Sequence, residues 1–177
     1  GVSEELLSEL DGFTGAVGIW DSGRPGPVTA FRFDIDCVQV GETSDPAHEA
    51  NAGGYASERP NLMHACGHDG HLAVGLGVAQ WIKDHADQLC GKIKLVFQPA
   101  EEGTRGARAM AESGILDDVD FIVCTHIGSS VPLHQVAVCT HGYLATTKLD
   151  IYFEGVPAHA GANPEKGRSA LMAACSA

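Results

Sequence analysis

The densest chemistry in this sequence lies in the run His64-Ala-Cys66-Gly-His68-Asp69-Gly-His71. A thiolate and an imidazole two residues apart in a tight, glycine-containing turn can both face one cation, with Asp69 placed to orient an imidazole from behind. One histidine beside a helix cap is ordinarily structural, and Asp69 could be that cap. Three histidines and a cysteine in so short a run favour metal binding, and their ligand types suit zinc-like ions. A second signal is Phe97-Gln-Pro-Ala-Glu101-Glu102-Gly103, directly after a strand-like run. Adjacent carboxylates repel, which raises one pKa. A cation resolves the conflict if one carboxylate binds it and the other stays free to move protons. Alone, the pair would read as an exposed acidic turn. His126, in Cys124-Thr-His126-Ile-Gly128, also follows an apolar run. Its weight comes from position: two consecutive strand ends would aim Glu102 and His126 at one edge of a sheet, where ligands of α/β folds collect. His159, in Pro157-Ala-His159-Ala-Gly-Ala-Asn163-Pro164, lies in a glycine-rich loop that alone signifies only a polar loop.

Other chemistries find no foothold. There is no Gly-x-Ser-x-Gly elbow and no Gly-x-x-x-x-Gly-Lys phosphate loop. Gly75 and Gly77 fall within a helical pattern and serve packing. His48, His85, His134 and His141 have no companions and default to surface or core roles.

The elements that must position these residues alternate. Residues 14–20 and 28–36 are apolar, β-branched strands joined by a tight turn rich in Gly and Pro. Residues 41–61 read as a long irregular loop. From 70 to 89, Leu72, Leu76, Ala79 and Ile82 recur at helical spacing. Residues 93–98 form a strand stopped by Pro99, and 104–113 a helix with Gly114 at the left-handed cap position. The apolar run 119–125 predicts a strand buried on both faces. A further strand spans 148–154, and Pro164 opens a helix still running at Ala177. This predicts an α/β fold, a largely parallel mixed sheet flanked by helices.

The chain has 177 residues, 44% of them hydrophobic, which excludes wholesale disorder. A formal net charge of −12 repels phosphate backbones and anionic bilayers, so neither nucleic acid nor membrane is an expected partner. The six cysteines show no framework spacing, and no basic-then-apolar leader or membrane-length apolar run is present. A reducing cytoplasm is the expected compartment. The chain begins at Gly1 without a methionine and ends inside a helical pattern, so it reads as a piece of a longer protein.

These motifs, together with Phe31-Arg-Phe-Asp34-Ile-Asp36 and His126-Ile-Gly128, resemble the peptidase M20 family and, within it, the amidohydrolase branch. The resemblance covers nearly all of the chain after Gly12. It implies a dinuclear site with two divalent ions, zinc or manganese. Cys66, His68, Glu102 and His126 take the places of metal ligands and Glu101 that of the general base. Asp36 takes the place of the aspartate that orients a ligand, and His159 that of a lid histidine reaching the partner subunit's site. It also implies a catalytic metal-binding domain over 1–145 and the beginning of a smaller α+β lid and dimerisation domain over 146–177, both incomplete.

The softer features Gly23-Arg-Pro-Gly-Pro27, Gly103-Thr-Arg-Gly-Ala-Arg-Ala-Met110, Asp117-Asp-Val-Asp120, Ala145-Thr-Thr-Lys148 and Ala158-His-Ala-Gly161 resemble members that split p-aminobenzoyl-glutamate into p-aminobenzoate and glutamate. The implied assembly is a homodimer, with room for a second related subunit. Two other readings stay open: an amidohydrolase for an indole-acetyl or benzoyl amino acid, and a non-catalytic metal-binding or dimerisation module. Three features depart from the family pattern. A His-Arg-x-x-His stretch upstream and a last histidine ligand far downstream are not in this sequence, and Cys37-Val38 stands where Ala-Leu is usual.

Overall fold

The computed structural model describes residues 14–103, 106–128, 130–138, 147 and 149–177. The chain divides into two compact units, one ending at Pro132 and the other comprising Leu133–Ala177.

The first unit is built on a four-stranded mixed sheet of β1 (Ala16–Asp21), β2 (Val28–Asp34), β3 (Lys92–Gln98) and β4 (Phe121–Cys124), in the order β1-β3-β2-β4. β2 is parallel to both β3 and β4, and β1 is antiparallel to β3. The expected largely parallel mixed sheet is therefore present.

The turn after β1 does not fold β2 back against it, because β3 enters between the two. The Gly91 amide donates to Arg24 O and the Lys92 amide to Pro27 O, so the connector straddles the start of β3. Arg24 reinforces the crossing by donating to the carbonyls of Asp87 at 2.7 Å and Ala86 at 3.0 Å, and to that of Leu89. Gly91 has φ +73°, and a Cβ there would lie 2.1 Å from Pro27 O. Gly91→Ala is therefore expected to destabilise the protein by about 1–3 kcal/mol, read as a lower urea midpoint at unchanged slope.

Alternation along the strands places apolar side chains on both faces. Phe33, Ile93 and Leu95 pack with Ile82 of helix α2 (His68–Asp84), and Ala30 and Val96 pack with Met110 of helix α3 (Gly106–Glu112). A short helix, α1 (Glu49–Gly53), interrupts the expected loop. With five residues it is too brief to leave a periodic signature, and Asn51 ties it to the carbonyls of Thr43 and Asp45, each at 2.7 Å.

α2 starts two residues earlier than its pattern predicts and ends at Asp84 rather than near Leu89. Its buried face carries His68, His71, Gly75 and Ile82, whereas Leu72 and Leu76 are exposed. The reason is Gly75: a Cβ there would lie 2.6 Å from Phe97 and 2.9 Å from Phe33, so the helix approaches the sheet along its smallest residue. Helix α3 leaves the expected left-handed Gly114 after it; residues 104 and 105 of its expected first turn lie outside the described residues.

β4 is shorter than expected and is not buried on both faces. Phe121, Ile122 and Val123 are exposed, and β2 is its only strand partner among the described residues. An apolar run records what a strand wants to cover, not what covers it.

In the second unit the expected strand at 148–154 is not formed over residues 149–154, and position 148 lies outside the described residues. The predicted helix from Pro164 is split into a single 3-10 turn (Pro164–Lys166) and α4 (Ala170–Ser176), because Arg168 pairs with Val156 in an isolated bridge. Ser169 then caps α4, accepting from the Met172 amide at 3.1 Å. Among the described residues, no helix is long and apolar enough to cross a membrane.

Candidate metal centre

Parallel pairing brings the carboxyl ends of three strands to one edge of the sheet. Asp34 is in register with Gln98, and Arg32 with Cys124. The segments that follow carry Asp36, Glu101-Glu102 and His126. The first turn of α2 brings His68 and His71, three apart and so on one face, to the same edge. Its N-cap is Gly67 at φ +83°, not Asp69, which is exposed in the first turn.

His68 is fully buried. Its Nδ1 lies 2.9 Å from Asp36 O and 3.1 Å from Asp36 Oδ1. Both partners are acceptors, so Nδ1 carries the proton and Nε2 is a bare lone pair. Nε2 is buried with no hydrogen-bond partner. Such an atom is costly to leave unpaired, and a cation would satisfy it. Asp36 is doubly used: its other oxygen accepts from the Glu102 amide at 3.1 Å, which ties the carboxylate turn to the same support.

Cys66, His68 and Glu102 each offer a ligand atom within 4.8 Å of the others, and so do Asp34, His68, His71 and His126. His68 belongs to both groups, and Cys66 Sγ lies 3.6 Å from His126 Nε2. The four residues expected as ligands thus converge on one edge of the sheet. Sulfur, imidazole nitrogen and carboxylate oxygen form a donor set that fits divalent ions such as zinc.

Glu101 belongs to neither group. It follows Ala100, which stands at φ +52°, a sparsely populated conformation for a residue with a Cβ and one that tends to mark functional turns. His159 lies in the second unit, where its ring Nδ1 accepts from the amides of Gly161 and Ala162, each at 3.1 Å. Its proton is therefore on Nε2, as a donor.

Two residues outside the expected ligand set are fully buried here, Asp34 and His71. Asp34 receives hydrogen bonds from His71 Nδ1 and from Arg32 Nη1, the latter at 2.7 Å. Burial pushes its pKa up, but the His71 hydrogen bond, together with the Arg32 charge, holds it below the usual carboxylate value. The available signals were the Asp34-x-Asp36 spacing and the i, i+3 pairing of His68 with His71.

Burial pushes the Cys66 thiol up to about 11, with Glu102, Glu101 and Asp34 adding to the shift. Without a cation the thiol is therefore protonated at neutral pH, and cation binding must expel that proton. In metal-free protein, iodoacetamide alkylation of Cys66 at pH 8 should run about a hundredfold slower than at an unshifted thiol and quicken as pH rises toward the shifted value. Peptide mass mapping would read this site by site. Alkylation at the ordinary rate would contradict the half-buried, carboxylate-flanked thiol.

The chain belongs to peptidase family M20/M25/M40, whose family description matches residues 30–177. It is 52% identical over 174 residues to a Haemophilus influenzae homolog of one p-aminobenzoyl-glutamate hydrolase subunit, covering 98% of this chain and 41% of that protein. It is 53% identical over 178 residues to the indole-3-acetyl-aspartic acid hydrolase of Enterobacter agglomerans, covering 100% of this chain and 41% of that protein. Among solved structures it resembles a dinuclear metal binding peptidase of the M20 family from Bacillus subtilis, with TM-score 0.60 and 35% identity over 67% of this chain and 31% of that one. The chain thus spans about two fifths of the two curated relatives, at 41% of each.

Proposed function

We propose that this chain is part of a two-metal amidohydrolase that cleaves the amide bond of an N-acyl amino acid, with p-aminobenzoyl-glutamate as substrate and p-aminobenzoate and glutamate as products. The observation that carries the reading is the buried Nε2 of His68, which has no hydrogen-bond partner and is grouped with the Cys66 thiol and the Glu102 carboxylate, Glu101 being the next carboxylate along the chain. The identity to a p-aminobenzoyl-glutamate hydrolase subunit supports the substrate, and the likeness to a dinuclear peptidase supports two divalent ions, zinc or manganese.

Cys66, His68, Glu102 and His126 would hold the ions, alongside donors from beyond this chain. When bound, the ions supply Lewis acidity and lower the pKa of the attacking water. Asp36 fixes the His68 tautomer and the Glu102 turn. Glu101 takes the proton of the water and passes it to the leaving amine. His159 of the partner subunit offers Nε2–H to the developing oxyanion. In this reading 1–145 is the catalytic domain, 146–177 begins the lid, the protein is a cytoplasmic homodimer, and a second related subunit can join it.

The test is a substrate panel on the full-length protein. p-Aminobenzoyl-glutamate should be hydrolysed with the highest kcat/KM, and chelation should abolish turnover until zinc or manganese is restored. A second reading, hydrolysis of an indole-acetyl amino acid, is favoured by the equally high identity to the indole-3-acetyl-aspartic acid hydrolase. A higher kcat/KM on indole-acetyl-aspartate would establish it. Metal binding without turnover of any panel member would leave only a non-catalytic module.

A further inference from the structure

We infer that His71 is a positioning residue that, backed by Asp34, clamps the Ile127 amide and thereby sets where His126 presents its Nε2. The inference rests on the metal-centre reading above and adds to it a residue that binds no metal.

His71 is 1% exposed, and both of its ring nitrogens are occupied. Nε2 receives the Ile127 N–H at 2.8 Å. A backbone amide can only donate, so Nε2 carries no proton, and the ring proton sits on Nδ1 against Asp34. A ring used this way has no free lone pair for a cation. His71 falls within reach of three other potential ligands, yet its chemistry is committed to the backbone.

The clamp acts where the chain has little other support. Cys124 is the last residue of β4 with a ladder partner, and β4 itself is a short exposed edge. Two residues later His126 is solvent-exposed, and its Nδ1 donates to Ile127 O at 2.8 Å. Its Nε2 is thereby left as the acceptor facing Cys66. Ile127 is thus held at both ends, its amide by His71 and its carbonyl by His126. Its side chain sits against the first turn of α2, where a Cβ on Gly70 would lie 2.4 Å from Ile127 Cδ1.

Behind the clamp, Asp34 accepts from Arg32, and Arg32 Nε donates to Gln98 Oε1 at 2.8 Å. One chain of hydrogen bonds therefore links the end of β3, which leads to Glu101 and Glu102, with the turn that carries His126.

Histidine's two nitrogens can be tested apart, because Gln reaches the Nε2 position while Asn reaches only Nδ1. Full-length wild type, His71→Gln and His71→Asn would be titrated with Co(II). Stoichiometry would be read from d–d absorption, thiolate ligation from the near-ultraviolet charge-transfer band, and affinity by chelator competition. His71→Asn is expected to weaken one of the two cobalt sites by about 10- to 100-fold, keeping the thiolate band, while His71→Gln restores most of the loss. If His71→Asn fails to fold, Ile127→Pro, which removes the clamped amide along with the Ile127 side chain packed on the start of α2, should give the same one-site loss. Wild-type affinity at both sites in His71→Asn or Ile127→Pro would overturn the clamp. So would an equal loss in the Gln and Asn variants. A wild type that takes up no cobalt would overturn the metal centre itself, and the clamp with it.

Discussion

Replacing Glu101 by Gln in the full-length protein is expected to leave metal content unchanged and to lower turnover by roughly 10²- to 10⁴-fold, the usual range for a lost general base. The two halves of that result follow from different parts of the turn after β3. Glu102 is the carboxylate grouped with Cys66 and His68, and its amide is fixed by Asp36. Glu101 stands outside both ligand groups, so a neutral isostere there removes a proton acceptor without removing a ligand. Metal analysis together with kcat on p-aminobenzoyl-glutamate would separate the roles. Loss of metal in Glu101→Gln would make Glu101 a ligand, and retained turnover would move the base elsewhere. The complementary change, Glu102→Gln, should lower metal affinity first and turnover as a consequence.

The sheet and the edge it presents were legible in the sequence because its strands are apolar, β-branched runs, with Pro99 and the Gly- and Pro-rich turn after β1 marking where they break. The convergence of Glu102 and His126 was legible because parallel strands deliver their following residues to one edge, which Cys66 and His68 reach from the start of α2. What escaped was relational. That β3 enters between β1 and β2 depends on the hydrogen bonds of Arg24, Gly91 and Pro27 across a long sequence separation, and no local pattern records these. Leu72 and Leu76 satisfied a helical period and yet face outward, because Gly75 gave the sheet a closer approach. Asp34 and His71 stood in motifs but not as a pair, since a buried acid and a buried histidine become one only when β2 meets the first turn of α2. The fate of the residues after Pro164 turned on one bridge, Val156 with Arg168, that the helical pattern could not anticipate.

Mixing Glu101→Gln with His159→Ala should restore activity that neither variant has alone. His159 holds its ring by two amide donors at Nδ1, so it presents Nε2–H as a fixed, neutral donor suited to a developing oxyanion. Loss of such a donor costs roughly 10²- to 10³-fold in kcat, so His159→Ala should be nearly silent in a standard assay, as Glu101→Gln is. If each active site takes Glu101 from one protomer and His159 from its partner, a mixed dimer contains one site with both residues intact and one with neither. Random exchange of equal amounts then gives about a quarter of the wild-type sites, the figure a closed two-fold dimer requires. Size-exclusion and differently tagged chains would establish that exchange has occurred. Activity that stays at the level of the separate variants after proven exchange would mean that His159 serves its own chain or no site at all. Recovery well short of a quarter, with exchange complete, would point to a lid that must move in both protomers together.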